Sequence, residues 1–184
     1  MGHEGHSHKD HPHSDRESHS AKEHKSHAPV QVATYVVTCS DSRSSAADES
    51  GRAIQDALRA AGHPLAGYRV VRDEPEEIRQ AVVEAKGAGA RALILNGGTG
   101  IGRRDSTVEV LEQLFEKTLP GFGELFRSLS FQEIGSAAMM SRAVAGTYQG
   151  MMIFALPGSP QAVQLALDRL ILPELGHTIR ELTR

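Results

Sequence analysis

The sequence predicts an α/β domain of three layers, α/β/α, built on a mostly parallel sheet. Two observations carry that prediction. Short, near-continuous apolar runs at residues 32–39, 68–72, 92–95 and 151–155 alternate with segments whose apolar residues recur at helical spacing. Such runs suit strands buried on both faces, and alternation with helices makes β-α-β units. The loops that follow the runs carry most of the glycine and small polar residues. In an open parallel sheet those loops gather at the carboxyl ends of the strands, where ligands bind.

Each element has its own local reason. Residues 32–39 are short and β-branched, which favours a strand. Ile54, Ala57, Leu58 and Ala61 then recur at i, i+3, i+4 and i+7, and Gly62 ends that helix. A second strand spans 68–72. Pro75 with Glu76 and Glu77 opens a helix carrying Ile78, Ala81, Val82 and Ala85 on one face. The third strand, 92–95, runs straight into a glycine loop. Ser106-x-x-Glu109 reads as a capping box before Val110, Leu111, Leu114 and Phe115. A helical stretch through 124–127 follows Pro120-Gly-Phe-Gly, and 143–145 and 151–155 form two further strands. Ser159 caps and Pro160 starts a helix with Val163, Ala166, Leu167 and Leu170; Leu172, Leu175, Ile179 and Leu182 mark another.

Composition narrows the function. The 184 residues hold 20 Lys+Arg against 23 Asp+Glu, a formal net charge of −3 that argues against a nucleic-acid binder with a broad basic face. One cysteine forms no internal disulfide and no multi-cysteine zinc site, which fits a reducing, cytoplasmic setting. No apolar run nears the roughly 20 residues of a membrane span. Eight of the ten histidines lie in the first 27 residues, among only three hydrophobic residues in 1–29 and no aromatic. Such a segment cannot bury enough surface to offset its ordering entropy, so 1–29 reads as a disordered tail and 30–184 as one domain. The spacing His6-Ser-His8 and His11-Pro-His13 suits zinc, nickel or copper; the alternative is a solvated tail.

The loops supply the candidate chemistry. Cys39-Ser-Asp-Ser-Arg43 resembles the zinc motif of β-type carbonic anhydrases, but that site needs a second cysteine that this chain lacks. Ser40, Asp41 and Ser42 then read as polar lining of a ligand cleft, or as turn chemistry. Residues 96–105, Asn-Gly-Gly-Thr-Gly-Ile-Gly-Arg-Arg-Asp, place four glycines in six positions. Glycines allow close backbone approach and an anion nest, and Arg103 and Arg104 add charge for phosphate; a tight turn would have the same composition. The segment matches neither a P-loop nor a dinucleotide fingerprint. Asp73 and Asp105 would meet at one sheet edge beside that loop, where two carboxylates next to phosphates suggest Mg²⁺. Asp73 could equally cap the helix that starts at Pro75. Pro157, Gly158 and Ser159 form another tight loop facing the same cleft. His63 and His177 read as surface residues, and Met139-Met140 and Met151-Met152 as core.

Five segments in order, 96–105, Leu119-Pro-Gly-Phe-Gly-Glu124, Leu129-Ser-Phe-Gln-Glu-Ile-Gly135, Ser141-Arg-Ala-Val-Ala-Gly146 and Leu156-Pro-Gly-Ser-Pro160, resemble the MoaB/MogA molybdopterin-binding family. The resemblance covers about residues 30–177 and is nearer the MoaB type. It implies a cytoplasmic protein of molybdenum cofactor biosynthesis that binds molybdopterin and adenylylates it with Mg-ATP, for a downstream molybdenum-insertion protein. On the family pattern Asp73 and Asp105 are the catalytic, Mg²⁺-holding carboxylates. Gly97, Gly98, Thr99 and Gly100 would cradle phosphate, and Ser40, Asp41 and Arg104 are further expected binding residues. Ser141, Arg142, Pro157, Gly158 and Ser159 would line the pterin side. Homo-oligomers, trimers or hexamers, are implied too. The alternative is a non-catalytic molybdopterin-binding protein, with metal handled by the histidine-rich tail.

Overall fold

The structure, a computed structural model, describes residues 31–41 and 47–184. The histidine-rich segment 1–29, Ser42 and Arg43 lie outside the described residues. Six strands form one sheet in the order β2-β1-β3-β6-β5-β4. These are β1 (Thr34–Cys39), β2 (Leu65–Val71), β3 (Ala92–Asn96), β4 (Lys117–Thr118), β5 (Val144–Tyr148) and β6 (Met151–Leu156). The pairs β1·β2, β1·β3 and β3·β6 are parallel. The edge departs from the pattern: β5 is antiparallel to both β6 and β4. Only Gln149 and Gly150 separate β5 from β6, and both have positive φ, 47° and 73°. A two-residue turn of that kind returns the chain as a hairpin, which forces antiparallel pairing.

Side-chain alternation divides the core between two faces. Val36, Ile94 and Phe154 pack with Ile54 and Leu58 of α1 (Glu49–Ala60), Phe122 and Phe126 of α4 (Pro120–Ile134), and Val163 of α5 (Pro160–Ala166). Leu175 and Ile179 of α6 (Leu172–Leu182) complete that layer. Val37, Leu95 and Ile153 turn the other way, onto α2 (Pro75–Gly87) and α3 (Thr107–Leu114). The three-layer α/β/α reading therefore holds. Among the described residues no helix is long and apolar enough to cross a membrane.

Several local expectations are corrected. The last two helices are continuous through a π-turn at Leu167–Ile171, where Leu172 N–H donates five residues back to Leu167 O. Pro173 follows directly and has no N–H for the regular ladder, which accounts for the offset. Met139 and Met140 are exposed, because their short 3-10 segment (Gly135–Met140) buries only Ala138; Met151 and Met152 are core, as expected. His63 is interior and not at the surface: its Nδ1 accepts the Val32 N–H at 3.1 Å.

Burial lowers the His63 pKa below its ordinary 6.5. The unfolded chain then binds the proton more tightly than the folded one. Stability from this site is intact above about pH 6.5 and is lost as pH falls through the lower folded value. His63→Asn, which keeps an acceptor without a titration, is expected to flatten that acid-side slope in urea melts at pH 5–7. An unchanged slope would remove His63 as its source.

Candidate functional site

The chain leaves β1 for β2 on one side and reaches β3 on the other, so the loops after β1 and β3 diverge and open a crevice at the carboxyl edge. A cleft of about 480 Å³ lies there. Its floor is Cys39, Asn96 and the glycine loop; Ser40, Ser130, Ser141 and the 157–159 loop close the sides, and Phe126, Ile134 and Met140 form an apolar wall. Burial pushes the Cys39 thiol up to about 12, so it is inert there at neutral pH.

The glycine loop is held in a form that only glycine accepts. Gly97 and Gly98 have φ of +96° and +63°. A Cβ on Gly97 would strike the Cys39 carbonyl oxygen, and one on Gly98 would strike the Asp73 carboxylate and the Thr107 hydroxyl. Gly97 N–H donates to Leu156 O at 3.0 Å and Thr107 N–H to Gly98 O at 3.1 Å, tying the loop to β6 and to α3. Asp105 accepts the Gly102 N–H at 2.7 Å and so closes the loop on itself.

Asp73 sits one layer behind that loop. It is 8% exposed, and its Oδ1 accepts both the N–H and the hydroxyl of Ser106, at 3.0 and 2.9 Å. It is not the cap of α2; Glu74 stands there, without a side-chain cap bond. The expected capping box is likewise absent, since Ser106 makes no side-chain cap bond to α3 and Glu109 pairs with Arg142. A charge-assisted bond to a carboxylate outcompetes a neutral bond to a backbone amide. Burial raises the Asp73 pKa; the Ser106 donors oppose this, and the Asp105 and Asp41 carboxylates add a smaller upward push.

Two of the three expected arginines are engaged by protein groups. Arg104 bridges Asp41 at 3.1 Å and Glu74 at 3.2 Å on the outer rim. Arg142 pairs with Glu109 and donates to the carbonyls of Thr99 at 3.3 Å and Asp105 at 3.4 Å, bracing the glycine loop from behind. Arg142→Ala is therefore expected to speed amide hydrogen exchange across 97–105 by roughly tenfold or more, with Glu109→Gln smaller in the same sense. Unchanged exchange in Arg142→Ala would show that the guanidinium does not hold the loop.

Of the expected site residues, Ser40, Gly97, Gly98, Thr99, Gly100, Asp105, Ser141, Pro157, Gly158 and Ser159 line one cleft. Asp41, Asp73, Arg104 and Arg142 stand outside its lining. Ser159 does cap α5, accepting the Ala162 N–H at 3.3 Å. The apolar wall was missed by residue-by-residue reading, although Ile134 and Met140, apolar yet 60% and 53% exposed, fall in or beside a segment quoted for the resemblance. Among the described residues no three His, Cys, Asp or Glu side chains gather as a metal cage. Asp73 and Asp105, close enough to interact electrostatically, fit Mg²⁺ only as a shared ion, with substrate phosphate supplying the remaining oxygens.

Known proteins resemble this chain in sequence and in fold. The model of the family described as "Probable molybdopterin binding domain" matches residues 35–177. Molybdenum cofactor biosynthesis protein B of Bacillus subtilis is 47% identical over 167 residues, 90% of this chain and 98% of that protein. A crystal structure of a molybdenum cofactor biosynthesis protein B superposes with a TM-score of 0.82 at 46% identity, covering 85% of this chain and 99% of the other. The tungsten cofactor synthesizing protein MoaB from Pyrococcus furiosus superposes with a TM-score of 0.79 at 36% identity, covering 85% and 100%.

Proposed function

Because this chain belongs to the molybdopterin-binding domain family, we propose that it acts in molybdenum cofactor biosynthesis, binding molybdopterin in the cleft and adenylylating it with Mg-ATP. The observation that carries the reading is the glycine loop beside Asp105 on the cleft floor, an arrangement suited to phosphate. The domain is residues 30–184, in a cytoplasmic homo-oligomer, trimer or hexamer, that passes its product to a molybdenum-insertion protein.

In the reaction an oxygen of the molybdopterin terminal phosphate attacks the α-phosphorus of ATP. A new P–O bond forms, the bond between the α-phosphorus and the bridging oxygen breaks, and pyrophosphate leaves. The protein contributes positioning and charge neutralisation. Backbone N–H groups of Gly98, Thr99 and Gly100 hold phosphate oxygens, Gly97 sets the path of the loop through its bond to Leu156 O, and Arg104 adds positive charge at the rim beside Asp41. Ser40, Ser141 and the 157–159 loop hold the pterin side against the apolar wall. Arg142 acts by bracing the loop. Asp73 and Asp105 would hold Mg²⁺, which when bound neutralises the charge of the reacting phosphates. The test is pyrophosphate release from Mg-ATP, expected only when molybdopterin is present. Tight molybdopterin binding without release at any Mg²⁺ concentration would leave a binding protein and reject the transferase.

A further inference from the structure

We propose that Asn96 Oδ1 is a fixed hydrogen-bond acceptor beneath the cleft that selects ligands by an N–H donor. It rests on the molybdopterin reading, under which the donor is an N–H of the pterin ring system.

Asn96 ends β3, is fully buried and lines the cleft. Its Nδ2 donates to Thr38 Oγ1 at 2.8 Å and to Val37 O at 3.3 Å. The Thr38 hydroxyl gives its one proton to Asp48 Oδ2. Asp48 also accepts from Tyr68 O–H at 2.6 Å and from Gly51 N–H at 2.9 Å. The direction of this chain of bonds is forced. With its proton engaged by Asp48, the Thr38 hydroxyl offers Asn96 only a lone pair. Val37 O likewise only accepts. The amide is thereby locked with its NH₂ toward β1, and a flip would set Oδ1 against two acceptors.

Oδ1, the other end of the amide, has no hydrogen-bond partner among the described residues. A buried carbonyl oxygen without a donor is costly. Asn96 is among the residues that line the cleft, so a ligand settled on its floor lies against this residue. A locked acceptor also discriminates, because a ligand lacking the matching donor leaves the oxygen unpaired in the complex.

The test uses the full chain with 6-hydroxymethylpterin as probe, against its N3-methyl and N2,N2-dimethyl analogues, each of which removes a donor. Wild type is expected to prefer the parent over at least one analogue by roughly tenfold or more. In Asn96→Leu that preference is expected to collapse to within about twofold, through weaker parent binding. If Asn96→Leu does not fold, the Asn96 side-chain ¹⁵N–¹H₂ resonances of wild type serve instead. They are expected to shift with the parent and not with the disfavoured analogue. Parent binding without discrimination, the same preference in Asn96→Leu, or equal shifts with both ligands overturns the acceptor role and leaves the cleft as the pterin site. No parent binding to wild type overturns the pterin reading, and this assignment with it.

Discussion

Asp73→Asn is expected to lower molybdopterin-dependent pyrophosphate release by about 10²–10³-fold while the fold is retained. The substitution is isosteric, and the asparagine carbonyl can still accept from the Ser106 N–H, now met at 3.0 Å. What it removes is the negative charge, close to Asp105, the one carboxylate among the described residues that lines the cleft. The role assigned to the pair requires both carboxylates to be ionised. Burial raises the Asp73 pKa, so the charged form is fully present only above that raised value. The rate should therefore fall on the acid side through a pKa above the ordinary aspartate value, and that limb should vanish in the residual activity of Asp73→Asn. Turnover within about twofold of wild type would sink the catalytic assignment and leave Asp73 as the anchor of Ser106 alone.

Gly97→Ala is expected to destabilise the domain by about 2–5 kcal/mol, from a left-handed backbone that L-residues resist and from a collision that cannot relax. At φ of +96° the new methyl would strike the Cys39 carbonyl, a backbone atom at the carboxyl end of the interior strand β1. Gly87→Ala is the control. It lies at the end of α2, where a Cβ would meet nothing within 4 Å, and it should stabilise by roughly 0.5–1 kcal/mol. Urea denaturation of both variants separates conformational demand from a general intolerance of glycine replacement. A Gly97→Ala chain as stable as wild type would mean that the loop adopts another path.

The site was legible in the sequence where local chemistry sets it. Glycines clustered behind a buried strand, a serine-proline pair opening a helix and aspartates after successive strands all follow from turn and capping preferences over a few residues. The sheet's antiparallel edge was less legible, because 143–145 reads as a strand in any direction and only the positive φ of Gln149 and Gly150 makes the hairpin. Ser106 and Glu109 show the same limit. Their spacing satisfies a capping box, yet both are drawn to charged partners, Asp73 and Arg142, that lie 33 residues away in opposite directions along the chain.

The sequence by itself determined the alternation of strands and helices, the set of loops at the carboxyl edge and the residue types available there. Those properties are local, fixed by side-chain periodicity and by backbone preferences within one turn. The tertiary structure alone decided the use of each residue. It placed Asp73 behind the loop and Asp105 in the cleft, turned Arg142 onto Glu109, took His63 inside and set an exposed apolar edge of α4 as the cleft wall. Those outcomes depend on which groups meet across the fold, where burial and competition among hydrogen-bond partners outweigh what any spacing along the chain can specify.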